Sequence, residues 1–233
     1  MNYELIIMIY AIMMNYELIL TSDGSHSLFV PEIDESYHST NGAIQESRHI
    51  FIDAGLNHCT KSGVSILEIG FGTGLNALLT YAEGQKKGLK IRYTTLEKYP
   101  VKAETAALFN YPALIDDKAS ISVFQQMHNC EWDKPAQLSD CFCFEKIKCD
   151  FTDFRLQSEY DLVFFDAFSP EKQPEMWTDS QFDKIYKHCR KAAILTTYCA
   201  KGIVRRSLQN AGFSVERLPG PPGKREILRA TKL

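Results

Sequence analysis

Apolar residues recur in short runs at 64–69, 91–97, 142–149, 160–165, 192–198, 213–217 and 226–231, each of strand length and bounded by turn-forming or polar residues. These are the predicted strands. Between them, residues 75–83, 99–109, 179–189 and 202–211 carry apolar positions at helical spacing, the last closed by Gly212, and 113–134 carries the same spacing more weakly. Strands alternate with helices until the last two strands follow one another directly. That order predicts a largely parallel sheet covered by helices, with an antiparallel hairpin at its C-terminal end. Upstream, two further short strands flank Ser22-Asp23-Gly24-Ser25 and read as a β-hairpin. A helical stretch over 43–54 follows, with Ile44, Ile50 and Phe51 apolar and Glu46 and Arg48 polar. The polar cluster Tyr37 to Asn41, ahead of Gly42, reads as the cap of this helix rather than as part of a site.

The run 64–69 breaks into Gly70-Phe71-Gly72-Thr73-Gly74, a turn in which glycines let a ligand lie directly against the main chain. Dinucleotide folds carry Gly-x-Gly-x-x-Gly; the spacing here is different. Glu68, just before the turn, suits a ligand bearing an amine and a sulfonium rather than a pyrophosphate. Glu97 ends the next strand about 20 residues beyond the glycines, where a carboxylate accepts hydrogen bonds from both ribose hydroxyls of a nucleotide-type ligand. Asp150 ends the strand after that, and either accepts an adenine amino group or caps a short helix over 151–156. The strand at 160–165 is apolar throughout and delivers Asp166 and Phe168 to its carboxyl end, where open parallel sheets bind ligands. A proline-bracketed loop over 171–177 covers the same edge.

Composition narrows the function class. A chain of 233 residues, 45 % hydrophobic, buries one good core. The net charge of -3 excludes a global attraction to polyanions. Its distribution is uneven: Lys201, Arg205, Arg206, Arg217, Lys224, Arg225, Arg229 and Lys232 face only Glu216 and Glu226 over the last third. This is either a nucleic-acid footprint or a solvated surface. The seven cysteines form no Cys-x-x-Cys pair and lie at no zinc spacing, so a reduced, cytoplasmic protein without a metal is expected. The apolar run at 5–14 is too short to span a bilayer. Met1-Asn2-Tyr3-Glu4-Leu5-Ile6 recurs from Met14 to Ile19, which marks residues 1–13 as a duplicated or misassigned start, peripheral to one domain over 14–233 with an N-terminal extension over 14–60.

Taken together, Gly70-Phe71-Gly72-Thr73-Gly74-Leu75-Asn76, Glu97-Lys98, Phe165-Asp166-Ala167-Phe168-Ser169-Pro170, Pro174-Glu175-Met176-Trp177, Val204-Arg205-Arg206 and Gly223-Lys224-Arg225-Glu226 resemble the methyltransferase domain of MnmC and its stand-alone relative MnmD. The resemblance runs from about Asp23 onward. One departure is Asp-Ala-Phe-Ser-Pro at 166–170, where relatives often carry Asp-Gly-Phe-Ala-Pro. It implies the class I methyltransferase fold, S-adenosyl-L-methionine as cofactor, and methylation of the 5-aminomethyl group of wobble 2-thiouridine in the tRNA anticodon loop. It also implies a monofunctional enzyme served by a separate flavin-dependent partner. On this reading Glu68, Gly70, Gly72, Gly74, Asn76, Glu97, Lys98, Asp150 and Asp166 hold the cofactor. Asp166 and Phe168 are the catalytic pair, the carboxylate accepting an amine N–H and the ring stacking on the base. Trp177, Arg205, Arg206, Lys224 and Arg225 meet the tRNA. The alternatives are a small-molecule amine as substrate, a nicotinamide-dependent oxidoreductase, and a noncatalytic RNA-binding descendant of the fold.

Overall fold

The computed structural model describes residues 16–115 and 120–233; the expectation for residues 1–13 lies outside them. Eleven strands and five principal helices follow in chain order. The strands are β1 (Glu17–Leu20), β2 (His26–Val30), β3 (Glu35–Ser36), β4 (Gly63–Ile69), β5 (Lys90–Glu97), β6 (Pro135–Ser139), β7 (Phe142–Lys148), β8 (Tyr160–Phe165), β9 (Cys189–Thr197), β10 (Ser214–Pro219) and β11 (Glu226–Thr231). The helices are α1 (Ala43–Ser47), which widens into a π-helix over Arg48–Asp53, α2 (Leu75–Lys87), α3 (Ser120–Asn129), α4 (Asp179–Lys187) and α5 (Gly202–Asn210).

β4 to β11 form one eight-stranded sheet in the order β10-β11-β9-β8-β4-β5-β7-β6. β7, β5, β4, β8 and β9 run parallel to one another, whereas β6 is antiparallel to β7 and β11 is antiparallel to both β9 and β10. The C-terminal hairpin predicted from sequence is therefore present, with its second strand inserted between β9 and β10. Alternate residues of the central strands feed two cores. Ile66 of β4 and Phe164 of β8 pack with Phe51, Leu78, Tyr93 and Phe144, while Leu67 and Phe165 pack on the other face with Phe182, Leu195 and Leu208, as the period-2 pleat requires.

Several local expectations are corrected. Only Ala103–Ala106 of the predicted 99–109 helix is helical, because Tyr99 and Pro100 continue the turn that leaves β5. Residues 151–153 are a turn and 154–156 have no regular structure, so the expected short helix is absent there. β3 and β6 lie in segments where no apolar alternation announced a strand; β6 is recruited by pairing with β7, a contact that local propensity does not encode. The N-terminal segment forms a separate three-stranded sheet, β1-β2-β3. No helix among the described residues is long and apolar enough to cross a membrane.

Candidate active site

β4 ends between β5 and β8, and one hydrogen bond carries each pairing past the end of a strand: Gly70 N–H donates to Leu96 O of β5 (2.9 Å) and Asp166 N–H to Ile69 O of β4 (3.0 Å). This places Gly70 directly against Asp166. A Cβ on Gly70 would lie 2.6 Å from the Asp166 carbonyl oxygen, and the residue has φ 95°, so both the space and the backbone angle exclude a side chain. The turn continues through Gly72, whose N–H donates to Glu97 Oε2 (2.9 Å) while Tyr99 N–H donates to Oε1 (2.8 Å). Glu97 thus holds the glycine turn and the exit from β5 at once.

A cavity of about 350 Å³ opens along these strand ends, a volume suited to a nucleotide-sized ligand. At one end lie Asp150 and Lys98, paired at 2.6 Å; Asp150 Oδ1 also accepts from Thr152 N–H (2.9 Å) and hydroxyl (2.7 Å). These bonds hold its carboxyl below the usual range despite burial. Asp150 therefore caps the 150–153 turn, not a helix, and lines the cavity. Glu97 lies along the wall. At the other end Asn76 Nδ2 donates to Asp166 Oδ2 (2.8 Å). Burial, opposed by this bond and reinforced by the nearby charge of Glu46, pushes the Asp166 carboxyl up to about 7.

Phe168 lines the same end, its ring 5.0 Å from that of Tyr37. Its backbone is held on both sides: Phe168 N–H donates to Gln173 Oε1 (3.1 Å) and Trp177 Nε1–H to Phe168 O (2.8 Å). The next residue is held by β3, Ser169 N–H and hydroxyl donating to the Glu35 carboxylate at 3.0 and 2.8 Å.

Of the expected site residues, Gly70, Gly72, Asn76, Glu97, Lys98, Asp150, Asp166, Phe168 and Lys224 line the cavity. Glu68, Gly74 and Trp177 do not. Glu68 is fully buried beneath it, because its side chain lies on the sheet face covered by α2, beside Asn76, Tyr93 and Thr95, and burial pushes its carboxyl up to about 8. Gly74, at φ 78°, packs against His128 and Phe71. Trp177 sits in the core against Phe165 and Phe182, so it supports Phe168 from behind instead of meeting RNA. Arg205, Arg206 and Arg225 lie outside the cavity, with Arg206 and Arg225 exposed. Much of the basic tail is engaged internally: Arg229 pairs with Glu216 and Arg217 with Glu226, and Lys232 donates to the carbonyls of Tyr186 and Cys189.

The cluster from Tyr37 to Thr40 lines the cavity, against its reading as a helix cap. The N-terminus of α1 is instead satisfied from the preceding hairpin. Ala43 N–H donates to Ser25 Oγ (3.1 Å) and Gln45 N–H to Asp23 Oδ2 (2.9 Å). Glu46 and Tyr198 are further lining residues that sequence reasoning missed. For Glu46 a signal existed, since it falls on the buried stripe Ala43, Glu46, Ser47, Ile50, and a carboxylate at helical spacing among buried positions needs a partner or a purpose.

Comparison with known proteins places this geometry. Residues 139–233 match the family Methyltransf_30, described as S-adenosyl-L-methionine-dependent methyltransferase. Over 84 % of its length the chain is 32 % identical to the tRNA 5-methylaminomethyl-2-thiouridine biosynthesis bifunctional protein MnmC of Marinomonas sp., covering 31 % of that protein. It is 30 % identical over 91 % of its length to the MnmC of Cupriavidus metallidurans, covering 33 % of it. It spans about a third of the length of these relatives. In fold, the chain superposes on MNMC2 from Aquifex aeolicus with TM-score 0.76 at 24 % identity, covering 99 % of this chain and 77 % of that one. A more distant likeness is spermidine synthase from Thermotoga maritima, with TM-score 0.53 at 12 % identity, covering 94 % and 75 %. The parallel sheet with its inserted antiparallel strand is the class I methyltransferase fold.

Proposed function

We propose that this protein transfers a methyl group to the aminomethyl nitrogen on C5 of wobble 2-thiouridine in tRNA, producing 5-methylaminomethyl-2-thiouridine. The observation that carries the reading is Asp166, a half-buried carboxyl raised to about 7, fixed by Asn76 and flanked by Phe168 at the end of β8. The bifunctional relatives named for this modification supply the substrate class.

The residues present fit the cofactor. Gly70 and Gly72 leave main chain open where the methionine part would lie, Glu97 keeps lone pairs free for ribose hydroxyls, and Asp150 with Lys98 would meet the adenine. When bound, S-adenosyl-L-methionine supplies an electrophilic methyl group on a sulfonium. The protein's task is to present a neutral amine in line with it and to exclude water. A primary alkylammonium resembles lysine, with a pKa of about 10.4, so the acceptor arrives charged. Asp166 takes one N–H proton, freeing the nitrogen lone pair to form the new N–C bond. The product leaves as a secondary ammonium, and Asp166 returns its proton to solvent. A carboxyl raised to about 7 is closer in proton affinity to the amine than an ordinary one, which favours this transfer. Phe168, braced by Trp177, stacks on the base, and the exposed Arg206 and Arg225 meet flanking phosphates of the anticodon loop. A flavin-dependent activity is the expected source of the aminomethyl form.

The test is incubation with radiolabelled methyl donor and tRNA carrying 5-aminomethyl-2-thiouridine, beside the same tRNA lacking the aminomethyl group, followed by nucleoside analysis. Label should appear in 5-methylaminomethyl-2-thiouridine from the first tRNA alone. Absence of label from both overturns the substrate.

A further inference from the structure

Asp166 and Glu46 face the acceptor end of the cavity together with the ammonium of Lys224, while the Glu35 carboxylate nearby is already engaged by Ser169. Glu46 Oε2 accepts Ser39 N–H at 2.7 Å, which fixes the side chain, and Glu46 Oε1 lies 3.3 Å from Lys224 Nζ. The Lys224 ammonium is also 4.8 Å from the Tyr198 ring centroid, and Tyr198 in turn donates its hydroxyl to Ala167 O beside Asp166 (2.9 Å). The proximity is electrostatic as well as geometric: the charge of Glu46 raises the Asp166 carboxyl and that of Lys224 lowers it.

Lys224 reaches this position from the turn between β10 and β11. That turn is docked onto the segment before α1, since a Cβ on Gly223 would lie 2.1 Å from Asn41 Nδ2. The lysine side chain is 29 % exposed, whereas Glu46 is only 10 % exposed. The carboxylate is built into the wall, and the ammonium reaches it from the rim on a flexible stem.

We propose that Glu46 is the second carboxylate of the acceptor site, binding the primary ammonium of the incoming substrate in the place that Lys224 Nζ occupies in the free enzyme. This rests on the reading that the acceptor is an amine. Burying a lone charge is costly, whereas exchanging one primary ammonium for another leaves the buried charge unchanged. Lys224 swings to solvent, the substrate nitrogen takes its place between Glu46 and Asp166, and Asp166 then removes the proton. Glu46 thus selects for a cationic substituent on the base before any chemistry occurs. Lys224 acts as the placeholder that offsets the charge of Glu46 until then, and it is withdrawn from the phosphate-binding role expected from sequence.

The experiment measures binding of two tRNAs, one carrying 5-aminomethyl-2-thiouridine and one with hydrogen at C5, to wild type, Glu46→Gln and Lys224→Met, with S-adenosylhomocysteine present to prevent turnover. Wild type should prefer the amine-bearing tRNA by roughly tenfold, a scale fitting one charge-assisted contact. Glu46→Gln should erase that preference while S-adenosylhomocysteine affinity and thermal midpoint stay near wild type, an outcome a purely structural Glu46 would not produce. Lys224→Met should widen the preference several-fold. Full discrimination retained in Glu46→Gln overturns the assignment of Glu46. Equal weakening of both tRNAs by Lys224→Met, with a flatter salt dependence, would identify Lys224 as a phosphate contact and overturn its placeholder role. Failure of wild type to methylate the amine-bearing tRNA overturns the amine reading itself and this inference with it, a result distinct from both of the others.

Discussion

Asp166 draws its chemistry from its neighbours rather than from its own side chain. Burial lifts its carboxyl to about 7, Asn76 holds one oxygen at 2.8 Å, and Glu46 and Lys224 pull its proton affinity in opposite directions. Asp166→Asn keeps the volume and removes the proton acceptor. Turnover should fall by roughly 100-fold or more, with S-adenosyl-L-methionine affinity within a few-fold of wild type by calorimetry. Because the basic form is the ionised one, kcat/KM of wild type should decline as pH drops below about 7, and the residual activity of Asp166→Asn should lose that inflection. A variant within a few-fold of wild type across the same profile would make the carboxylate structural.

At the scale of elements, the loop after β8 is the part to which the proposed function gives recognition of the base. It has little regular structure beyond the 3-10 turn Pro174–Trp177, so its shape depends on tethers. Gln173 and Trp177 hold the two backbone groups of Phe168, and Glu35 of β3 holds Ser169. Trp177→Phe preserves most of the packing against Phe165 and Phe182 but removes the Nε1–H donor to Phe168 O. An unpaired buried carbonyl costs about 1–3 kcal/mol, borne mainly by the loop. On the proposed function, KM for tRNA should therefore rise several-fold while the affinity for S-adenosyl-L-methionine, which would bind further along the cavity, stays unchanged. The glycine turn is tethered in the same manner: His38 Nε2 meets Thr73 Oγ1 at 2.8 Å and His128 Nε2 meets Thr73 O at 3.2 Å. Burial lowers both imidazoles to about 4, so they stay neutral at physiological pH.

For the molecule as a whole, the central sheet contains a liability in Glu68, fully buried with neither carboxylate oxygen in a well-formed hydrogen bond. Its folded carboxyl titrates at about 8 against 4.5 for the free side chain. Between those values the folded state holds a proton that the unfolded state has lost, so stability declines as pH rises through that window and is flat above it. Glu68→Gln mimics the neutral acid. It should remove much of that decline, an effect on the order of a few kcal/mol, read as urea midpoints at pH 5.5 and 8. Equal pH dependence in wild type and variant would show that Glu68 remains ionised in the folded protein.

Order along the chain was legible without the structure wherever the governing interaction is local. The apolar runs that became β4, β5, β7, β8, β9, β10 and β11, the glycines whose backbone angles require glycine, and the carboxylates Glu97, Asp150 and Asp166 at strand ends all follow from residue type and spacing over a few positions. Fold class follows from their alternation. What distant segments do to one another had no such signature. Trp177 and Glu68 look like site residues in the string, yet the first is drawn into the aromatic core and the second beneath α2. Lys224 reads as part of a basic tail until the β10–β11 turn docks on Asn41 and sets it against Glu46, 178 positions earlier in the chain. β6 becomes a strand because β7 offers it a free edge. Burial and charge pairing between remote residues are properties of the packed molecule, and the tertiary structure alone decided which of the chemically able side chains share one cavity.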